Sequence, residues 1–214
     1  MKRLILGAHL LRDDIEPAAD AIAVGDLFLS AIEIEDDQPL GDRELLVRAA
    51  NVRAKLLEAA TFIAIRYGFT AVSADDAHRK CATHLDAWRR ALTRHREHVE
   101  MTLKTAAATP RARPDRHDFT SGAEYLRALH AATQSASADP AFRDAAEELL
   151  VPHAVRHRWI HRDEKSVELA ALVARAELDA VNAAGEELRA RCPHVPFLLS
   201  GPWPLEVFAD ADHE

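Results

Sequence analysis

Glycine is scarce in this 214-residue chain: there are seven, at positions 7, 25, 41, 68, 122, 185 and 201, and no two lie closer than sixteen positions. A backbone cradle for phosphate needs clustered glycines, so that successive N–H groups can close on the anion. Their dispersal excludes the Walker A loop, the dinucleotide-binding fingerprint and the kinase glycine loop. HExxH, CxxC and GxSxG are missing as well, which removes the common zinc and nucleophile-elbow routes to hydrolysis. No cofactor, metal or nucleotide is therefore expected. The two cysteines, Cys81 and Cys192, are far apart and suit a reducing compartment. No apolar run reaches the roughly 18 residues a membrane span needs, so membrane insertion is not expected. After Lys2-Arg3 the apolar stretch extends only to Leu11 and meets Arg12-Asp13-Asp14, unlike a secretory leader. The cytoplasm is the expected location.

What is present reads as a globular protein. Hydrophobic residues make up 48% and charged residues 29%, a balance that buries a core instead of staying disordered. The 27 basic residues are scattered among 35 acids, for a net charge of −8. That field opposes phosphate, so nucleic acid is not an expected partner. The length accommodates two modest domains.

Strand and helix patterns alternate along the chain. Residues 3–11 form an apolar run that reads as a buried first strand. The runs 21–24 and 27–34 meet at Gly25-Asp26, a two-residue hairpin turn in which glycine supplies the positive φ. Leu45, Ala49, Val52 and Leu56 recur at helical steps and predict a helix over 42–60. Residues 61–66 are short and apolar and predict a buried strand. Ser73-x-x-Asp76 resembles a capping box that opens a helix over 74–97, with Ala77, Cys81, Leu85, Trp88 and Leu92 on its apolar face. Residues 98–104 alternate as a half-exposed strand, Val99, Met101 and Leu103 inward and Glu100, Thr102 and Lys104 outward. The stretch 105–118 breaks every period. It places a boundary or exposed loop at 106–118, between domains at 1–105 and 119–214. Beyond it, Ser121-x-x-Glu124 and Asp139-Pro140 open two helices, and Pro152 interrupts the second. A strand over 167–174, a helix over 175–191 and a buried strand over 196–200 follow. Gly201-Pro202-Trp203-Pro204 should break that last strand before an alternating tail.

Few residues carry a chemical signal. His153, His157 and His161 recur at steps of four, and on a continuous helix two imidazoles so placed can chelate a divalent ion. Arg156, Arg158 and Arg162 would repel that ion, and a solvated basic face is the blander reading. His95 and His98 sit at a helix-to-strand junction where their rings should point apart. Cys81 belongs to the apolar stripe and reads as a small core hydrophobe. In the Pro-Trp-Pro corner, two prolines fix φ on either side of Trp203 and Gly201 frees the preceding turn. Such a bend holds the indole in one orientation. It makes Trp203 a core plug, with Phe208 continuing the same strand edge, or else a surface anchor of the kind enriched at protein-binding hot spots.

The block 197–204 (FLLSGPWP) resembles the C-terminal signature of the gas vesicle protein L/F family, which reads SGPWPPYSF in typical members. Further stretches resemble that family in the same order. Gly25-Asp26-Leu27 with Ala31 matches a "GDLAAVVS" strand, and 62–68 (FIAIRYG) matches an "LPVRFGT" strand and turn. Val99-Glu100-Met101 matches a "VEM" strand, and 121–126 (SGAEYL) matches an "SGxxYL" helix start. The chain departs from the family after Pro204, where Leu205-Glu206-Val207-Phe208 replaces Pro-Tyr-Ser-Phe and keeps only the final aromatic. The resemblance implies an α+β protein, with a modified ferredoxin-like N-terminal domain followed by an α+β C-terminal domain with long helices. It implies a non-enzymatic accessory protein of gas vesicle assembly that binds the hydrophobic shell subunit and other accessory proteins. The motif residues it points to are Arg66, Tyr67, Gly68, Gly201, Pro202, Trp203, Pro204 and Phe208. The competing readings are an interaction adaptor outside gas vesicles and a metal-dependent enzyme using the histidine-rich helix.

Overall fold

An unbroken apolar run at the start of the chain becomes the central strand of a sheet. In the computed structural model, which describes residues 1–10, 21–106, 115–134, 138–163 and 166–209, β1 (Lys2–Leu10) is buried on both faces at Leu4, Ile5, Leu6 and Ala8. It pairs antiparallel with β3 (Leu27–Ile34) on one side and with the short β4 (Phe62–Ala64) and β5 (Thr70–Ala71) on the other. β2 (Ala21–Val24) pairs with β3 to give the order β2-β3-β1-β4. The turn between β2 and β3 falls on Gly25 at φ 64°, as the sequence predicts.

Local hydrogen bonds start the helices where the sequence places them. Asp42 accepts from the backbone N–H of Glu44 and Leu45 at 2.8 and 3.0 Å and opens α1 (Arg43–Ala59). Leu45 and Ala49 of α1 pack on Leu4, Leu6, Ile32 and Ile34 of the sheet. The helix expected over 74–97 is two: α2 (Ala74–Cys81) and α3 (Leu85–Arg94). The first closes tightly, with the His84 N–H on the Cys81 carbonyl three residues back at 2.8 Å, which turns the chain before the second begins.

Asp76, in the first turn of α2, carries an unusual load of donors. The Lys80 ammonium lies 2.8 Å from it, Arg79 donates at 2.9 Å and the Val72 N–H donates at 3.1 Å. Those partners, Lys80 foremost, hold its carboxyl at about 2, below the usual 3.8. A depressed carboxylate contributes stability that is complete above its unfolded value and is lost as pH falls through the folded one. The first unit is therefore expected to lose stability between about pH 4 and pH 2, and Asp76→Asn to flatten that part of the profile in acid-denaturation curves.

The chain divides into two units, Met1–Glu100 with the chain from Pro202 onward, and Met101–Gly201. The sequence reading put the division at 106–118 and the tail with the second domain. The division falls instead within β6 (His98–Ala106), and the tail returns to the first unit. In the second unit β6 lies between β8 (Ser166–Ala174) and β9 (Phe197–Trp203), and β7 (Ala154–Asp163) flanks β8 antiparallel. Helices α4 (Gly122–Gln134), α5 (Pro140–Leu150) and α6 (Leu178–Arg191) complete it. Ser121 and Asp139 cap α4 and α5 by accepting from Glu124 and Phe142 N–H, each at 3.1 Å. Met101, Leu103, Phe142, Leu150, Leu169 and Leu188 are among the core residues of this unit. The α+β class holds in both units.

Two expectations in the second unit are overturned. The histidine run is not helical: Pro152 lies in a 3-10 turn, Val151–His153, and the chain then extends as β7. A step of four along a strand separates residues by roughly 13 Å, too far for two imidazoles to share one ion. Here His153 meets Glu177 at 3.1 Å, and Glu147 takes Arg143 and the Trp159 indole N–H, each at 2.8 Å. Nor does Gly201 end the last strand, which runs on through Pro202 to Trp203. β9 is an edge strand, where a missing N–H costs no ladder bond.

Candidate functional site

The Pro-Trp-Pro corner leads into a segment seated on the first unit. Gly201 stands at φ 140°, a conformation that favours glycine, and Pro202 and Trp203 follow in extended geometry. Beyond Pro204 the Leu205 N–H donates to the Phe62 carbonyl at 2.9 Å, and Leu205 forms a parallel bridge with Ile63. The edge of the sheet at β4 thus gains one residue of pairing. Leu205 is fully buried there, and Phe208 is 5% exposed.

Glu100 fastens what comes next. Its Oε1 accepts from the backbone N–H of Glu206 and of Phe208, both at 2.8 Å, and its Oε2 accepts from Val207 N–H at 3.1 Å. Three successive backbone donors converging on one carboxylate make an anion-binding concavity of the chain itself. The alternation of β6 predicted Glu100 outward, in solvent; it is 3% exposed. Burial pushes its pKa up, the three backbone donors pull it back, and the nearby Glu206 carboxylate adds to the rise. The opening of β6 is held from the other side by Thr61, whose hydroxyl donates to the His98 carbonyl at 2.7 Å. The His95 and His98 rings do not point apart as expected but meet edge-to-face, with centroids 5.9 Å apart.

The structure separates the residues that the motifs single out. Trp203 is not a core plug: at 48% exposure it lies at the surface. The buried apolar positions of this segment are Leu205 and Phe208 instead. Phe208 does not continue a strand edge either, because turn-like backbone at 206–209 curls its N–H onto Glu100. Arg66, Tyr67 and Gly68 follow β4 at its other end. Arg66 is exposed, the Tyr67 hydroxyl donates to the Leu40 carbonyl at 2.8 Å, and Gly68 turns the chain at φ 95°. The two groups of motif residues therefore bracket one three-residue strand. Glu100, Phe62 and Leu205 were missed as site residues. An acid set directly between Val99 and Met101 was the available signal for the first.

Among the described residues no group of three or more histidines, cysteines and acids is placed to hold a metal ion. No described helix is long and apolar enough to cross a membrane.

The sequence profile of a family described as gas vesicle synthesis protein GvpL/GvpF matches residues 16–209. No curated protein matches significantly. Among solved structures, the crystal structure of gas vesicle protein GvpF from Microcystis aeruginosa superposes with a TM-score of 0.71 at 10% identity, covering 97% of this chain and 98% of that one. That of the gas vesicle protein GvpF from Anabaena sp. PCC7120 gives 0.69 at 11% identity, covering 99% and 97%. At such identities the structures show a shared fold, and the profile shows the family. The chain belongs to the GvpL/GvpF family of gas vesicle synthesis proteins.

Proposed function

We propose that, as a member of this family, the chain serves gas vesicle assembly by holding other proteins, the hydrophobic shell subunit and further accessory proteins, and catalyses no reaction. The observation that carries this reading is Trp203, presented at the surface between two prolines, two residues before the buried Leu205. An indole in a fixed orientation gives a large apolar contact at little cost in conformational entropy, which is why tryptophan is enriched at binding hot spots. A shell subunit that polymerises through apolar surfaces needs such contacts covered until it is incorporated. The work takes place in the cytoplasm, at or near the growing vesicle. Nucleic acid is not among its partners, and the chain does not insert into membrane.

Sedimentation of purified shell subunit with and without the full chain tests the proposal. The subunit alone should pellet, and the chain should hold it in the supernatant. Trp203→Ala should weaken that binding about 30-fold, the scale of a hot-spot loss of about 2 kcal/mol. Its melting temperature should stay within about 2–4 °C, because a surface residue away from the core contributes within about 0.5 kcal/mol. Retained affinity would remove Trp203 from the interface, and failure of the wild-type chain to hold the subunit would remove the function.

A further inference from the structure

We propose that residues 205–209 are a releasable strap, and that the edge they cover is a docking site for an extended apolar segment of a partner protein, for which the strap is the resident stand-in. The inference rests on the partner-holding role above and says where on the first unit one partner segment is received.

The seat is small and of a defined kind. A single bridge at Ile63 and a single N–H to the Phe62 carbonyl join the strap to the sheet. Its buried side chains are Leu205 and Phe208, three positions apart, with the small Ala209 beside them. The backbone N–H groups of Glu206, Val207 and Phe208 are held by Glu100. Recognition of main chain by a sheet edge and a carboxylate is indifferent to sequence, so specificity lies in the two apolar anchors. This is the division of labour in strand addition to an exposed edge. A partner segment with a leucine-like residue, two spacers and an aromatic reproduces the two large anchors and offers the same backbone donors. The strap is also an imperfect ligand, because its own Glu206 carboxylate opposes the negative charge of Glu100. A segment with a neutral residue at that position gains where the strap loses. Among the described residues the strap pairs with the sheet at one position, whereas β1 and β3 pair over nearly their whole lengths, so the strap opens before the sheet does.

Hydrogen exchange on the full-length chain tests this with one probe, a synthetic peptide of residues 204–209 carrying Glu206→Gln. Without peptide, the Val207 and Phe208 amides should exchange at least about tenfold faster, relative to their intrinsic rates, than amides in the β1–β3 ladder. Peptide at about 1 mM should accelerate them severalfold further by taking the seat, leaving the ladder unchanged. A control peptide with aspartate in place of both anchors should do nothing. In Phe208→Asp, whose strap is unseated, labelled peptide should bind about tenfold or more tightly than in wild type, and adding Glu100→Ala should reverse that gain. Val207 and Phe208 as protected as the ladder, or no response to the peptide, would overturn the proposal. So would acceleration by the control peptide. If Phe208→Asp unfolds the first unit, the wild-type measurements decide alone. Because the probe is a peptide, this outcome is separate from whether the shell subunit is held.

Discussion

Replacing Phe142 with alanine is expected to destabilise the second unit by about 3–5 kcal/mol, the usual cost of emptying a buried phenylalanine site. Phe142 is fully buried on α5, beside the Phe197 ring of β9 at 5.4 Å between centroids. Its core neighbours come from β6, β8 and α6. The strands among them are fixed by sheet pairing, so the site collapses little and much of the cavity term is retained. Domains of this size are stable by only about 5–15 kcal/mol, so the loss is a large share of the total. At roughly 4–8 °C per kcal/mol for a unit of about a hundred residues, calorimetry should show a transition lowered by more than about 10 °C. If the two units unfold independently, a second transition stays in place. An unmoved calorimetric trace would mean that Phe142 is not the core residue described.

A smaller but still large loss in the first unit is expected from Gly7→Val. A Cβ at this position would lie 2.6 and 2.9 Å from the ring carbons of Phe62 and 3.1 Å from the Ile63 carbonyl oxygen. Gly7 is paired with Ala64 and Ser30 on either side, beside the register shift of β1, so the backbone has little freedom to retreat. The ring must move instead, and Phe62 is buried in a packed interior. Overpacking of this kind costs about 1–3 kcal/mol and sometimes more, and a branched side chain falls at the upper end. The effect extends to the candidate site, because the Phe62 carbonyl receives Leu205. Urea denaturation should show the lowered stability, and hydrogen exchange should show the Leu205 amide exposed. Wild-type stability in Gly7→Val would contradict the close approach of β1 and β4.

How legible the site was in the sequence can be judged from Trp203 and Glu100. The two prolines and Gly201 announce a stiff corner that breaks the strand, but the strand runs on through Pro202 to Trp203. Whether an indole on it faces core or solvent depends on which neighbours take the apolar seat, and these are Leu205 and Phe208. Glu100 was hidden by the rule that finds most strands. Alternation sorts residues into faces, and it assumes that the polar face is wet. Here that face is covered by chain whose backbone, not its side chains, supplies the partners. The histidine run fails for a different reason: steps of four signal a helix only while the backbone is helical, and beyond Pro152 it is not.

By itself the sequence determined the hairpin at Gly25, the helix starts at Asp42, Ser73, Ser121 and Asp139, the α+β class and the family. Each cap and turn is a contact between residues two to four positions apart, or a backbone angle that one residue type prefers, and such terms are fixed before the chain folds. Tertiary structure decided the fate of the tail. Glu100 meets donors 106 to 108 positions away, and Leu205 meets Phe62 across the sheet edge. No local preference encodes those encounters. They exist because folding buries the Glu100 carboxylate, where it is costly until backbone N–H groups reach it.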